Sequence, residues 1–503
     1  MRTEYCGETG RQTGKGNASD KREAVWWQGT DLPKGTLLNN NRVADTVVIG
    51  AGMAGLLTAY FLRKAGKSVI VLEAKTIASG QTGGTTAKIT SQHGLIYAKM
   101  IREIGFEKAR QYAKENETAI TVFEKMIQEE EIDCDFQRVP AYLYTVHESG
   151  KDALRKECAA AAELGIPSFY VEKGESFLSV QEEIPFPVKA AVGFENQAQF
   201  HPLKFLSKLA KGLTVYENTK VLKVKGHTII TNRGKIQARN IVFATHYPIS
   251  NVPGFYFLRQ HQQRSYVLAL RGAKAPHGMY YGVDENGLSV RSVSSLGNMS
   301  SCRKPETLVL LGGGGHRTGK RLCSCYGRKR HEKTEEGSTV GYSYLRKMAE
   351  VYFPKAEEVA AWSAQDCMPH DQIPFIGRYS IFRPYWYVAT GFGKWGMTTS
   401  MIAAKEISNA ICGIKRKEKS VFSPRRLLVR AGMKNFLKDV GESVKGLCAG
   451  VFAKNEHKCP HMGCKLEWNP EEGSYDCPCH GSRFTKKGEL LDNPAQIDLS
   501  EKV

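Results

Sequence analysis

Two short loops near the end of the 503-residue chain combine cysteine with histidine. The first loop contributes Cys459 and His461, and after fifteen intervening residues the second contributes Cys477 and His480. Thiolates stabilise an iron that stays ferric, whereas neutral imidazoles on the other iron leave less negative charge and raise the reduction potential to about −150 to +300 mV. This mixture of ligands predicts a [2Fe–2S] cluster and therefore a protein that moves electrons.

Zinc is the alternative to iron at these loops, because cysteine and histidine at short spacing also bind Zn²⁺ in small domains. With Cys464 and Cys479 included, however, six candidate ligands follow one another in the order Cys, His, Cys, Cys, Cys, His, which fits a four-ligand zinc site poorly. Gly463 and Gly481 lie beside the loops and allow backbone N–H groups to approach the sulfides of a cluster. Visible absorption would distinguish the two metals.

A glycine-rich turn near the start of the chain reads G-A-G-M-A-G over residues 50–55. It follows a buried-strand pattern at 46–49 and opens a helix pattern, which is the context that a dinucleotide-binding βαβ unit requires. The N-terminus of the helix supplies N–H groups and a positive dipole end for phosphates. Gly50 permits the tight turn, Gly52 a close pyrophosphate, and Gly55 the packing of the helix on the strand.

The acidic residue that ends the second strand of this unit indicates which dinucleotide binds. Glu73 can accept hydrogen bonds from a ribose diol, and its charge would repel a 2′-phosphate, so the ligand is FAD or NAD rather than NADP. The Gly/Thr-rich loop that follows, which contains Thr82, is unnecessary for NAD but can lie along the ribityl chain of a flavin. A second glycine turn and helix pattern, at 391–411, can face the pyrimidine end of that flavin, where negative charge builds on reduction.

With these segments the chain resembles the D-amino-acid oxidase-like superfamily of FAD-dependent oxidoreductases, which includes glycine and sarcosine oxidases. The resemblance covers about residues 44–413 and rests on the glycine unit, on ATHYP at 244–248 and on ATGFGKWGMT at 389–398. More closely, segments at 85–94 and 362–366 are similar to a bacterial subgroup that joins such a domain to a C-terminal Rieske domain. The resemblance implies FAD contacts around Gly50, Glu73, Thr82, Val221, Thr245, Gly396, Met397 and Thr398.

The fold implied is of the α/β + β class, with an FAD-binding Rossmann-like domain, an interleaved α+β substrate domain and a small all-β Rieske domain. We expect a flexible polar N-terminal segment at 1–43, the FAD-dependent oxidoreductase domain at 44–412, a basic linker at 413–430 and the Rieske domain at 431–503. The FAD-binding parts are expected at about 44–97, 200–250 and 362–412, and the substrate parts at about 98–199 and 251–361.

The cysteines beside the cluster ligands resemble those of Rieske proteins from cytochrome bc-type complexes. In those proteins the residues that match Cys464 and Cys479 form a disulfide between the two loops, and the resemblance implies the same bond here. Phe484 occupies a position that is tyrosine in the respiratory proteins, so that one hydroxyl donor near the cluster is lost. We therefore expect a reduction potential below theirs.

Three residues are candidates for catalysis or substrate binding. His93 follows the flavin loop and can act as a base or a substrate contact, or it is simply a packed histidine. Arg264 and Tyr266 lie in the region that the family uses for substrate binding. The planar guanidinium of Arg264 suits a carboxylate, with an ordinary ion pair as the alternative.

These features predict an enzyme that oxidises a small amine, amino acid or hydroxy acid with FAD and passes electrons through the cluster. The alternatives are an electron-transfer protein whose flavin is reduced by a partner, and a non-catalytic redox sensor. Bleaching of the flavin by a substrate panel without oxygen would separate the first hypothesis from the other two.

Composition bears on partners and location. The net charge of +20 can favour an acidic redox partner or reflect only a solvated basic surface, and no nucleic-acid recognition motif stands out. The basic residues at 413–430 are interpreted as a solvated hinge, with a docking patch for an acidic protein as the alternative. The start of the chain lacks an apolar signal segment, and no apolar run is long enough to span a membrane, so we expect a cytoplasmic protein.

A run of four glycines at 312–315 needs an explanation of its own. Read from Gly314, the sequence approaches a phosphate-binding P-loop, but Arg321 stands where serine or threonine must hold magnesium. We interpret the run as a loop without a nucleotide.

Overall fold

The computed structural model describes residues 22–294, 307–320, 340–426, 441, 446–448, 450 and 458–501. The helices are α1 (Met53–Lys64), α2 (Tyr97–Ile104), α3 (Phe106–Glu129), α4 (Lys151–Glu163), α5 (Glu175–Glu183), α6 (Pro202–Ala210), α7 (Gly341–Tyr352) and α8 (Gly396–Ile411). Among the residues described, none of the helices combines the length and apolarity needed to cross a membrane.

The strands follow one another in three groups along the chain. Before α6 lie β1 (Arg42–Ile49), β2 (Val69–Leu72), β3 (Lys88–Ile89), β4 (Gln137–Arg138), β5 (Ala141–Thr145), β6 (Ser168–Val171), β7 (Ala190–Phe194) and β8 (Ala198–Gln199). After α6 lie β9 (Thr214–Tyr216), β10 (Val221–Lys225), β11 (Thr228–Thr231), β12 (Gly234–Phe243), β13 (Gln260–Arg271), β14 (Met279–Gly282), β15 (Ser289–Ser294), β16 (Thr307–Arg317), β17 (Glu357–Pro369), β18 (Phe375–Ser380) and β19 (Arg383–Thr390). The C-terminal group is β20 (Glu467–Asn469), β21 (Ser474–Asp476), β22 (Arg483–Thr485) and β23 (Leu490–Asp492).

The first large sheet is built around a parallel core. Strand β1 pairs in parallel with β2 and β12, and β12 pairs in parallel with β19. Val48 packs in the core cluster that contains α1 and α8, while Val47 packs in the cluster on the opposite face. Both valines are fully buried, as expected for a parallel strand that is covered on both sides. This arrangement confirms the Rossmann-like unit that the sequence predicts.

The second large sheet has the order β17-β13-β16-β15-β14-β5-β7-β6. Its longest neighbours, β13 and β17, pair antiparallel from Gln260–Pro369 to Arg271–Glu357. Burial alternates along β13, so that Gln262 and Arg264 are on one face and Gln263 and Ser265 are on the other. This strand pair separates two of the sites described below.

The glycine run at 312–315 is not a loop. It lies inside β16 and pairs with both β13 and β15, so the interpretation as a loop was wrong. Gly314 has a φ of +58°, and a Cβ added there would lie 2.8 Å from the carbonyl oxygen of Gly341, where α7 begins. Close helix packing, rather than a phosphate, accounts for glycine at this position.

The C-terminal sheet is small and antiparallel, with the order β20-β21-β22-β23. Phe484 on β22 is fully buried and shares a core cluster with Cys459, Cys464, Cys477 and Cys479. The structure thereby confirms the predicted α/β + β fold with a small all-β domain at the end.

Part of the N-terminal segment predicted to be flexible is packed. Residues 1–21 lie outside the described residues, but Trp26 is fully buried, and its indole N–H donates a hydrogen bond of 2.7 Å to the carbonyl oxygen of Thr85. The polar composition of the segment hides this one aromatic anchor. The anchor reaches the loop that the sequence assigns to the flavin.

The described part of the basic segment, 413–426, also packs on the oxidoreductase domain. Phe422 is fully buried beside Tyr112, at 5.5 Å between ring centroids. Arg426 forms a 2.7 Å ion pair with the buried carboxylate of Asp371, and Arg416 forms ion pairs with Glu115 and Glu406. These contacts do not fit a solvated hinge. Residues 427–430 lie outside the described part of the chain.

Candidate FAD and iron–sulfur sites

A cavity of about 470 Å³ opens at the carboxyl ends of the parallel strands of the first sheet. This edge is where open α/β sheets bind ligands, because the loops diverge there. Gly50 and seven other residues that the sequence assigns to FAD border this cavity. The seven are Gly52, Glu73, Thr82, Val221, Thr245, Gly396 and Met397. Gly55 and Thr398 do not line the cavity, and the hydroxyl of Thr398 donates to the carbonyl oxygen of Thr90 at 3.2 Å.

The glycine turn is packed so closely that side chains are excluded. Gly50 has a φ of +106°, and a Cβ there would lie 2.4 Å from the carbonyl oxygen of Ala244. A Cβ on Gly55 would lie 1.9 Å from the carbonyl oxygen of Gly50. The hydroxyl of Thr82 accepts a 3.0 Å hydrogen bond from the Met53 N–H at the start of α1. Backbone donors and a hydroxyl thus surround the place where the motif holds a pyrophosphate.

Two polar groups in the cavity wall fit a bound dinucleotide. The carboxylate of Glu73 accepts hydrogen bonds of 2.9 Å from the backbone N–H groups of Ala51 and Lys75. Burial raises the pKa of Glu73. Nε2 of His246 is buried and has no hydrogen-bond partner among the residues described. Burial lowers the pKa of His246 to about 4, so the ring is neutral and can donate to or accept from a ligand. The donor set therefore fits FAD, which supplies a two-electron acceptor when bound.

A second cavity, of about 510 Å³, adjoins the first. Asp366, Lys394 and Met397 border both cavities, so the second lies next to the end of the dinucleotide site formed by α8. Burial raises the pKa of Asp366 to about 6, against the opposing effect of Lys394. Lys88 also borders the second cavity, and burial together with the charge of Arg291 lowers its pKa to about 7. All three charged residues lie in segments that carry the family resemblance, at 85–94, 362–366 and 389–398, but the sequence did not indicate that they border one cavity.

His93 borders the second cavity but is fully engaged by protein groups. Its Nδ1 lies 2.7 Å from the Tyr112 hydroxyl and its Nε2 lies 2.8 Å from the carbonyl oxygen of Thr90. The ring stacks on Trp395 at 4.7 Å, and burial lowers its pKa to about 3. These contacts favour the packed histidine that the sequence left as the alternative, and the role of His93 as a base stays a prediction.

The two cysteine–histidine loops meet at one place. The thiols of Cys459 and Cys477 are in hydrogen-bonding contact, and the rings of His461 and His480 are 5.0 Å apart and perpendicular. Nδ1 of His461 is buried without a hydrogen-bond partner in the described part of the chain. Two buried sulfurs and a buried imidazole nitrogen fit the mixed ligand set of a [2Fe–2S] cluster, which supplies a one-electron carrier when bound. A disulfide joins Cys464 to Cys479 across the loops.

Comparison with known families agrees with both sites. The profile of the family described as FAD dependent oxidoreductase, DAO, matches residues 45–410, and that of the Rieske [2Fe-2S] domain matches residues 448–501. The chain belongs to the DAO family and carries a Rieske domain. A protein of Bacillus subtilis (strain 168) described as a Rieske 2Fe-2S iron-sulfur protein, YhfW, is 33% identical over 532 residues, which cover 96% of this chain and 99% of the relative.

Solved structures share the fold of this DAO-family oxidoreductase at low identity. Glycine oxidase from Geobacillus kaustophilus superposes with a TM-score of 0.60 at 18% identity, covering 77% of this chain and all of the oxidase. L-proline dehydrogenase from P.horikoshii gives a TM-score of 0.59 at 16% identity, covering 77% of this chain and 98% of the dehydrogenase. The two family matches, rather than these structures, show that the cofactors are FAD and a Rieske [2Fe–2S] cluster, and the Rieske match favours iron over zinc.

In this DAO-family oxidoreductase the histidine side of the cluster loops faces the oxidoreductase domain. Nε2 of His461 lies 3.0 Å from the side-chain oxygen of Asn251, and the ring of His480 meets that of Phe257 at 5.8 Å. The side-chain N–H₂ of Gln262 on β13 donates to the carbonyl oxygen of His480 at 2.7 Å. The Rieske loops are thus docked on one face of the β13–β17 pair.

Arg264 and Tyr266 both contact the Rieske domain on that face, which occupies the guanidinium of Arg264, whereas Tyr266 also borders the second cavity and stays a prediction as a substrate residue. Arg264 is almost fully buried and forms 3.3 Å ion pairs with Glu472 and Asp492 of the Rieske domain. The Tyr266 hydroxyl lies 2.9 Å from His316 Nε2 and 3.5 Å from the side-chain nitrogen of Asn469. On the opposite face of β13 from Arg264, the neighbouring residues Gln263 and Ser265 border the second cavity. Period-two alternation along β13 was the signal that could have separated Arg264 from Gln263 and Ser265.

Proposed function

We propose that this protein oxidises a small amine, amino acid or hydroxy acid in the second cavity and passes the electrons through FAD to its Rieske cluster. The oxidation removes two electrons and two protons from an H–C–N–H or H–C–O–H unit and leaves an imine or a carbonyl compound. The electrons then leave the cluster one at a time for an external acceptor.

The observation that carries this proposal is the β13–β17 strand pair. One face of the pair borders the second cavity through Gln263, Ser265 and Asp366. The opposite face binds the cluster loops, through Gln262 to the His480 carbonyl and through Gln365 to the Gly481 carbonyl at 2.8 Å. A single layer of backbone thus separates a cavity beside the FAD site from the histidine side of the cluster, which supports internal electron transfer.

The second cavity carries groups suited to a small polar substrate. Lys394 offers a positive charge beside the FAD cavity, and Lys88 offers a second amine that is shielded from bulk solvent. Asp366, whose pKa is raised to about 6 by burial, can accept the proton that an N–H or O–H group loses on oxidation. A purely electron-transferring flavoprotein would not need such a cavity, so the geometry favours an enzyme.

Anaerobic addition of candidate substrates to the purified protein tests the proposal. A substrate should bleach the flavin absorption near 450 nm by roughly the full oxidised amplitude, and the reduced cluster should then appear by electron paramagnetic resonance. If no amine, amino acid or hydroxy acid bleaches the flavin but a reductase does, the protein is an electron-transfer carrier. If neither reduces it, a redox sensor becomes the better hypothesis.

The redox partner and the cytoplasmic location stay predictions. Two of the basic residues in the 413–426 segment, Arg416 and Arg426, are occupied by ion pairs within the chain. That segment therefore offers less free positive charge to an acidic partner than its composition suggests.

A further inference from the structure

The Rieske domain borders the FAD cavity directly, and not only through the strand pair. Part of the wall of the 470 Å³ cavity is formed by β23 and the residues that follow it. The contributing residues include Leu490, Leu491, Asp492, Asn493, Gln496 and Asp498. We infer that this segment, which we call the 490–498 segment, is a functional part of the FAD-binding site. The inference does not depend on which substrate is oxidised.

The 490–498 segment is anchored at the rim of the cavity by hydrogen bonds to residues that also border it. The side-chain N–H₂ of Asn493 donates to the carbonyl oxygens of Thr245 at 3.2 Å and of Tyr247 at 2.9 Å. The side-chain N–H₂ of Gln81 donates to the Asp492 carboxylate at 3.2 Å. Thr245 and Gln81 belong to the oxidoreductase domain and line the same cavity. The cavity is therefore closed at this point by a contact between domains.

The same segment is tied to the cluster loops. The Ala495 N–H donates a 2.9 Å hydrogen bond to the hydroxyl of Ser482, which is fully buried two residues beyond His480. The side-chain N–H₂ of Gln262 bridges the carbonyl oxygens of His480 and Asn493, at 2.7 and 3.0 Å. The position of the 490–498 segment over the FAD cavity thus depends on the folded state of the cluster loops. FAD retention should accordingly require a docked and folded Rieske domain.

Gln496 offers a direct test, because it borders the cavity and its side chain makes one local hydrogen bond, to the carbonyl oxygen of Pro494 at 3.1 Å. FAD carries two negative charges on its pyrophosphate, so a carboxylate at this position should repel it, whereas an ammonium group should not. The neighbouring carboxylates are already engaged, Asp492 by Arg483 and Asp498 by the N–H of Leu490. Gln496 is therefore a position at which a new charge would act on FAD without breaking an existing ion pair.

The experiment uses the full-length protein with its cluster and measures the Kd and dissociation rate of FAD in Gln496→Glu, Gln496→Lys and the control Gln237→Glu. Gln237 lies exposed on β12, away from the lining of the cavity, so the control adds the same charge elsewhere. Cluster absorption verifies that the Rieske fold is intact. We expect Gln496→Glu to raise the Kd of FAD at least threefold, and this increase should shrink in high salt. Gln496→Lys and the control should bind FAD as tightly as the wild type or tighter.

Two results would overturn the inference. One is a wild-type Kd and dissociation rate in Gln496→Glu, which would mean that the 490–498 segment does not act on FAD. The other is an equal weakening in Gln496→Glu and Gln237→Glu, which would assign the effect to net charge alone. Because FAD binding is measured without turnover, neither result bears on the proposed oxidation.

Discussion

The guanidinium of Arg264 lies 3.3 Å from the carboxylate of Asp492, so a strand of the oxidoreductase domain and the last strand of the Rieske domain share a buried ion pair. Burial raises the pKa of Asp492, but the charges of Arg483 and Arg264 outweigh it and hold the pKa below its usual range. Glu472 completes the group by pairing with both arginines. Buried charges of this kind fix geometry, because any displacement leaves a charge without its partner.

Removing the guanidinium should loosen the docking of the Rieske domain. We expect Arg264→Met to lower the free energy of unfolding of the Rieske domain by roughly 3 kcal/mol. This value is at the lower end of the range for a broken buried ion pair, because Arg483 still pairs with both carboxylates. Urea unfolding followed by the visible circular dichroism of the cluster measures this change. Arg426→Met is the matched control, since its buried partner Asp371 lies within the oxidoreductase domain. Equal loss of the cluster signal in both variants would contradict a role between domains.

A larger side chain on the cavity-facing side of β13 should impair substrate turnover rather than the docking of the Rieske domain. Ser265 borders the second cavity, so Ser265→Leu narrows the space beside Lys394 and should lower kcat/KM at least tenfold, which corresponds to about 1.4 kcal/mol of lost transition-state binding. Arg264→Lys, on the Rieske-facing side, should leave KM within twofold of the wild type. Steady-state kinetics with the substrate found by flavin bleaching measures both effects. A KM that responds to Arg264→Lys but not to Ser265→Leu would reverse the assignment of the two faces.

The reduction potential of the cluster should respond to residue 484. Phe484 is fully buried in the core that contains the cluster cysteines, and Phe484→Tyr introduces a hydroxyl donor there. Hydrogen bonds to the sulfurs favour the reduced cluster because they stabilise its extra negative charge, so the potential should rise. A redox titration followed by electron paramagnetic resonance measures the shift. Phe484→Leu, which adds no donor, is the control, and an unchanged or lowered potential in Phe484→Tyr would contradict the prediction.

Lys88 should make stability depend on pH. Its pKa is lowered by burial to about 7, whereas in the unfolded chain it keeps the ordinary value of 10.5. Between pH 7 and 10.5 the unfolded state therefore binds a proton that the folded state does not, so the contribution of Lys88 to stability rises with pH across this window. We expect the free energy of unfolding of the wild type to increase relative to that of Lys88→Met from pH 7 to 9. A difference that stays constant over this range would contradict a lowered pKa.

The fold was predictable where the signal is local. The strand, glycine turn and helix at β1 and α1 form one contiguous pattern, and each cysteine–histidine loop spans only a few residues. The course of 312–315 was not predictable, because glycine normally indicates a loop and only pairing with β13 and β15 holds it in a strand. Trp26 was missed for a similar reason, since one buried aromatic does not change the polar composition around it.

The orientation of β13 shows what sequence alone leaves open. Alternation predicts two faces, but assigning each face requires knowledge of what packs against it. The Rieske domain, almost two hundred residues further along the chain, covers the side of Arg264, and the cavity takes the side of Ser265. The shared cavity of Lys88, Asp366 and Lys394 was not predictable, because only the folded chain brings these three residues together.

Because the two faces of β13 contact different parts of the protein, the number of residues in this strand is also constrained. Deleting one residue between Gln260 and Gln262 would turn every later side chain of the strand to the opposite face. The docking arginine would then point into the cavity, and the cavity serine would meet the Rieske carboxylates, so that the proposed electron transfer and the proposed turnover would be lost together. Deletion of two residues would preserve both faces. Length variation in this strand among relatives should therefore occur in steps of two.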